Sequence, residues 1–396
     1  MYPFSTYKDH SIRKLLLLAV LLTAVLLLGA CGNSAEPFPV PEAAAPEISE
    51  QIIETPPPTP PVEIDGVLFS AESPRLVLSG LNVDEEGLEE VLPRFEHLTS
   101  IDMRGSAISH EYACSVAERY PDAEVFWDVR LFDMLLPSDT VVLDLTGTEI
   151  GDLSEVEAVL PYFPCLEKVI IPDCSIPYED LDALNRRYED IRFVWTVHFS
   201  VYTLRTDATV FCASNIPKLG YTAPQLTSAE LDPLKYCIDL EALDLGHMNY
   251  KDINFLKDMT KMKYLILVQG KFSDISPIGN MPDLYYLELF NNNRIIDLTP
   301  LLNCKNLKHL NIGYCYFAEW EPLKEMPWLE RLWMPHVDIK DKELKELREA
   351  LPDTEVYAPF TDGKGSTGGG WRNDQSYFDM RDLMEMPYYP GGTGMG

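Results

Sequence analysis

The chain has 396 residues, 46% of them apolar, enough for the core of two or three ordinary domains. Lysine and arginine number 32 against 63 aspartates and glutamates, a formal net charge of −31, and no basic block follows the first fifteen residues. That balance excludes a surface built for nucleic acid and leaves a strongly acidic exterior.

Residues 1–30 read as a leader. Lys8, Arg13 and Lys14 precede an apolar run from Leu15 to Leu28, shorter than the roughly 20 residues of a spanning helix but suited to the h-region of a secretory signal. The run ends in Leu28-Gly29-Ala30-Cys31, which resembles the lipobox of bacterial lipoproteins. The resemblance implies that the Cys31 thiol is diacylated, that the bond before it is cut, and that two acyl chains anchor the mature protein on the extracytoplasmic face of a bacterial membrane. An ordinary signal peptide with an incidental cysteine is the alternative. Residues 31–63 follow as a linker, with nine prolines between Pro37 and Pro61. Such chains favour polyproline II at about 3.1 Å per residue, so this one is expected to act as a spacer without a packed core.

Two related modules come next, over residues 64–132 and 133–204. Leu92-Pro93-Arg94-Phe95 through Val129 aligns without a gap on Leu160-Pro161-Tyr162-Phe163 through Val197, at an offset of 68. Leu98 matches Leu166, Ile101 matches Val169 and Trp127 matches Trp195, while upstream Leu76-Val77-Leu78 matches Leu143-Asp144-Leu145. Each copy is expected to hold two strand phrases, a helix over Glu111 to Tyr120 or Glu179 to Tyr188, and one closing strand over Glu124 to Val129 or Arg192 to Val197. Both tryptophans are expected in the core or an interface rather than against a ligand.

Residues 205–360 carry an irregular segment, 205 to 239, and then five short repeats. With Leu240, Met262, Leu284, Leu307 and Leu329 as first positions, the spacings are 22, 22, 23 and 22, and the fourth and sixth positions are apolar in every unit. The eleventh is Tyr250, Phe272, Phe317 and Ile339 in four units, and either Ile295 or Ile296 in the Asn-rich third. A second phrase comes after it, as in Asp274-Ile275-Ser276-Pro277-Ile278 and Asp297-Leu298-Thr299-Pro300-Leu301, whose proline limits regular helix. The two phrases together resemble the leucine-rich repeats of internalin-type bacterial surface proteins. The resemblance implies an α/β leucine-rich-repeat solenoid, with a curved parallel sheet on the concave side and helices and turns on the convex side. The chain departs from the pattern at the ninth position, usually Asn, which reads Met248, Gly270, Asn292, Cys315 and Val337; irregular turns are therefore expected. Pro352 to Tyr357 echoes Pro121 to Phe126, with Asp341 to Ala350 as its helix, so the solenoid is expected to run, continuous or slightly broken, from about residue 64 to 360.

In such a repeat the third, fifth and seventh positions point out of the core on the concave sheet. They present Tyr264, Tyr286, Glu288, Phe290, His309, Arg331 and Trp333 as the candidate partner-binding residues, beside Ile266, Val268 and Asn311. Asp244 begins the row, and Tyr314 and His336 lie at its rim. Clustered aromatics beside Arg and His suit a protein interface or stacking on sugar rings, unless the tail or a loop covers them.

The tail, residues 361–396, is Gly-rich. A phosphate loop is ruled out because Gly363-Lys364 is followed by Gly365 rather than Ser or Thr. A helix from about Asp374 to Met384 is expected, docking Tyr377, Phe378, Met380 and Leu383 on the end of the solenoid; a detachable partner-binding peptide is the alternative. The phrase Ser366-Thr367-Gly368-Gly369-Gly370-Trp371-Arg372 is similar to one in leucine-rich-repeat lipoproteins of Firmicutes. His110-Glu111 begins like a zinc-protease motif but lacks the second His, and no G-x-S-x-G or C-x-x-C occurs. Cys174 and Cys315 occupy the ninth position, where buried free thiols are expected; Cys304 with Cys315 or Cys165 with Cys174 are the alternative pairs in an oxidising medium. The expectation is a non-enzymatic monomer that binds a protein or glycan outside the cell, with no catalytic residue, cofactor or metal ligand. An envelope-structural tether is the alternative, followed by a glycan-active enzyme.

Overall fold

The computed structural model describes residues 59–213, 225–317, 319–358 and 368–385. All belong to the second of two units, which begins at Thr59; the leader, Cys31, most of the Pro-rich linker and Gly365 lie outside the described residues. Each N-terminal module opens on an antiparallel hairpin and continues as three parallel strands separated by helices. In the first, β1 (Val62–Ile64) pairs with β2 (Val67–Phe69), and β3 (Arg75–Val77), β4 (Ser100–Asp102) and β5 (Glu124–Phe126) form the sheet. Helices α1 (Glu85–Val91) and α2 (His110–Arg119) lie between those strands. The second module repeats this with the hairpin β6 (Asp128–Leu131) and β7 (Met134–Pro137), then β8 (Val142–Asp144), β9 (Lys168–Ile170) and β10 (Arg192–Val194). Its helices are α3 (Ser154–Val159) and α4 (Tyr178–Arg187).

The single closing strand expected in each module is therefore two strands, divided at Trp127 and Trp195. Each tryptophan turns the chain from the parallel sheet into the next hairpin and is buried there. The Trp127 main-chain N–H donates to Ser138 Oγ at 3.1 Å and its carbonyl accepts from Ser138 N–H at 2.8 Å; Trp195 and Thr206 repeat both bonds at the same distances. The solenoid, expected to be continuous or slightly broken, is thus broken into three parallel sheets, interrupted by the hairpins β6–β7 and β11 (Thr196–Phe199)–β12 (Tyr202–Arg205).

The third sheet has seven parallel strands in chain order: β13 (Val210–Cys212), β14 (Ala242–Asp244), β15 (Tyr264–Ile266), β16 (Tyr286–Glu288), β17 (His309–Asn311), β18 (Arg331–Trp333) and β19 (Glu355–Tyr357). Part of the segment expected to be irregular supplies its first strand and the short helix α5 (Ser228–Leu231). The middle residues Phe211, Leu243, Leu265, Leu287, Leu310, Leu332 and Val356 stand in register across all seven strands. Residues at the first and sixth positions join them in one core, each Leu contributing about 1.5–3 kcal/mol by leaving water. On the side away from the sheet the chain returns through single 3₁₀ turns, Ser276–Asn280 and Thr299–Asn303, or the short helix α6 (Glu321–Lys324). Pro277, Pro300 and Pro322 sit at the starts of these turns, where a missing N–H costs nothing. The longer helix α7 (Asp341–Ala350) precedes β19.

The expected irregularity of the turns does not occur. His247, Gln269, Asn291, Tyr314 and His336, the eighth residue of each unit, all adopt left-handed backbone with φ between 55° and 64°. In the first four, the N–H of this residue donates to the seventh carbonyl of the next unit, at 2.7 to 3.0 Å. A main-chain ladder thus keeps the turns regular from unit to unit although only one of them carries the asparagine. Of the two candidates for the third unit's eleventh position, Ile295 enters the core and Ile296 is exposed. Among the described residues seven cysteines are free thiols: Cys237, Cys304 and Cys315 are buried, Cys114, Cys174 and Cys212 half-buried and Cys165 exposed.

Candidate partner-binding face

Strand alternation sends the third and fifth positions of each unit to the face of the seven-stranded sheet opposite the core. The structure brings Tyr264, Tyr286, His309 and Arg331 into one row and Glu288 and Trp333, with Asn311 between them, into the next. Phe290 borders the second row. Close approach there depends on Gly313, since a Cβ would fall 2.6 Å from Pro335 Cγ and 2.9 Å from Phe290 Cδ2.

The sequence pattern predicts side chains open to solvent here unless the tail or a loop covers them, and the structure shows them buried under such a cover. Tyr286 is 0%, Trp333 1%, His309 2% and Glu288 7% exposed, and Tyr264, Phe290 and Arg331 are half-buried. The cover is the chain's own tail. Helix α8 (Gln375–Leu383) lies against the face, and Tyr377, Met380 and Met384 join Ala242, Ile266, Tyr286 and Trp333 in a second apolar cluster separate from the main core. Spacings of three and seven residues put those tail residues on one helical stripe. The tail docks across the sheet rather than on the solenoid's end, and Leu383, expected to be a docking residue, points outward and is 42% exposed.

Polar contacts fix the helix in place. Asp374 caps it, accepting from Ser376 N–H at 3.0 Å, and its other carboxylate oxygen pairs with Arg331 Nε at 2.7 Å. The turn Gly368–Asn373 sets Trp371 against Phe290, ring centroids 5.6 Å apart. Glu288 accepts a hydrogen bond from the Tyr286 hydroxyl. Burial pushes its carboxyl up from the usual range; the Tyr286 bond and the positive charges of Arg381 and Arg372 act the other way, while Asp244 reinforces the rise. Arg381 is buried over the Tyr377 ring. Burial holds the His309 imidazole below its ordinary value.

Sequence reasoning missed Tyr285, whose hydroxyl meets His309 Nε2 at 3.0 Å from a position outside the outward rows. It also missed Arg381 and Met384, which the stripe beginning at Tyr377 would have found. Trp127 and Trp195 are core residues, as expected. His110 lies at the start of α2 against Tyr162 and Glu111. Among the described residues no group of three or more His, Cys, Asp or Glu side chains is placed to hold a metal ion.

No family model matches the chain, and no curated protein matches it. Among solved structures it is similar to an internalin C2 of Listeria monocytogenes, at 17% identity over 55% of this chain and 80% of that one, with a TM-score of 0.32. It is also similar to an internalin F of the same organism, at 18% identity over 74% and 83% of the two chains, TM-score 0.28. A leucine-rich-repeat protein of Leptospira interrogans is similar at 17% identity over 67% and 73%, TM-score 0.29.

Proposed function

We propose that the chain is a non-enzymatic recognition protein, anchored outside a bacterial cell by lipid on Cys31, that holds a segment of a partner protein on the outward face of its seven-stranded sheet. One observation carries the choice of a protein partner over a glycan: the face already holds a peptide helix, through aromatic and methionine side chains and an ion pair. Aromatic and arginine anchors at the centre of a buried patch are the groups that dominate protein interfaces. An internal helix on such a face competes with a partner at high effective concentration, so it sets a threshold that a partner has to exceed.

The test uses the full chain with its tail weakened by Tyr377→Ala and Met380→Ala. A labelled peptide of residues 368–385 is expected to bind this variant saturably, one to one, and the unmodified chain at least tenfold more weakly. Absence of binding by a variant that keeps its circular dichroism would sink the reading. The anchor is tested separately by feeding expressing bacteria an alkyne-tagged fatty acid. The label and the membrane association are both expected to vanish in Cys31→Ser, and their persistence would remove the lipid from the proposal.

A further inference from the structure

The tail leaves one part of the face unsatisfied. His309 Nδ1, Asn311 Nδ2 and Trp333 Nε1 are buried and have no hydrogen-bond partner among the described residues. The three side chains are neighbours: Asn311 stands opposite Trp333 in the β17–β18 register, and the His309 and Trp333 rings stack with centroids 5.9 Å apart. Their other polar atoms are already committed. Asn311 Oδ1 accepts from Gly313 N–H at 3.1 Å, which turns the amide nitrogen to the free side, and His309 Nε2 is taken by Tyr285. Asn311 and Trp333 therefore present two donor nitrogens with nothing to receive their N–H groups. Isolated indole N–H groups are unpaired elsewhere, at Trp127, Trp195 and Trp328, but those stand singly and away from this face. Here the orphans are contiguous and lie beneath a helix that carries apolar residues toward them.

We infer that the partner is an amphipathic helix of another protein that keeps the aromatic and methionine stripe of the tail but adds a side-chain acceptor, a Glu or Gln, directed at Asn311 Nδ2 and Trp333 Nε1. This rests on the reading that the face is a partner site. A buried donor without an acceptor loses its bonds to water and gains none in return, so a helix that supplies the acceptor gains over one that does not. The tail has the shape and charge to fill the face but lacks that acceptor, which suits a resident that yields to a better-matched helix.

The experiment scans 18-residue peptides based on residues 368–385, with Glu or Gln placed in turn at each position, against the full chain carrying Tyr377→Ala and Met380→Ala. At least one peptide is expected to bind tenfold or more tightly than the parent. That gain is expected to disappear when the chain also carries Trp333→Phe, which keeps the ring and removes the N–H, or Asn311→Asp. The aspartate keeps the bond to Gly313, as Asp244 does to Gly246 at 2.8 Å in the equivalent place, while turning the donor into an acceptor. If the parent binds and no acceptor peptide exceeds it, this inference alone falls. A gain indifferent to both substitutions overturns it as well. If not even the parent binds, the partner-site reading falls with it.

Discussion

Asn292 shows how much a single side chain contributes to a turn. Fully buried, it donates through Nδ2 to the carbonyls of Leu267 and Leu289 at 2.7 and 2.9 Å, joining two adjacent units. Cys315 reaches the Leu289 carbonyl from the following unit at 3.1 Å. Asn292→Ala leaves the Leu267 carbonyl without this donor and is expected to cost about 1–3 kcal/mol in urea unfolding. The ninth position was legible as unusual because four of its five residues are not Asn. The regularity of the turns was not legible, because it resides in the left-handed backbone of the preceding residue. His, Gln, Asn and Tyr occupy that position with no glycine to mark it.

Among the elements, the tail helix is expected to answer to pH through His309. Its imidazole titrates lower under the tail than it would in water, so protonation favours the undocked state. Its contribution to docking is complete above about pH 6.5 and is lost as pH falls from there through the lowered value. Asp374 and Glu330 raise that value, Arg331 and Lys308 lower it, and burial outweighs them all. Glu288, raised by burial, favours docking in the opposite direction: its contribution is present below about pH 4.5 and is lost as pH rises through its own value. The two are separated by comparing profiles. Hydrogen exchange of residues 375–383 is expected to quicken below pH 6.5 in the unmodified chain relative to His309→Gln. Identical profiles would remove His309 from the account.

The helix itself was legible, since Asp374 is a capping residue at the head of an amphipathic stripe. Its seat was legible only as the alternative in which the tail covers the outward aromatics, because a Gly-rich connection sets no direction for the helix beyond it. The hairpins escaped notice for a similar reason. Only the first carries a turn signature, Asp65-Gly66, with φ of 50° and 75°. Phe132 and Ser200 take φ of 53° at the later ones, where their side chains give no such sign.

At the scale of the molecule, three sheets share a core but exchange no strand hydrogen bonds. Stability in repeat folds is close to a sum of local terms, so damage is expected to stay near its origin. Leu287 lies in the centre of the seven-stranded sheet and is fully buried. Leu287→Ala is expected to cost about 2–5 kcal/mol there, with amide protection lost first between β14 and β18 and little changed before residue 132. Uniform loss across the chain would instead mean that the sheets unfold as one. The 22-residue period made this sheet readable from sequence, whereas the breaks between sheets were hidden inside segments that are apolar on both sides of Trp127 and Trp195.

The three hairpins suggest how such a face acquires its length. Each of the first two modules runs hairpin, strand, helix, strand, ten-residue helix, strand, and the last part of the chain opens with β11–β12, β13 and α5 and closes with α7 and β19. Between those ends stand β14 to β18, each pair joined through a single 3₁₀ turn or, between β17 and β18, the short helix α6. Adding or removing a unit of about 22 residues in that interval would change the face by one strand spacing, about 4.8 Å, and leave both ends as they are. The terminal elements then behave as fixed jaws on an adjustable rule, and the reach of the face becomes a quantity that insertion or deletion can set in discrete steps.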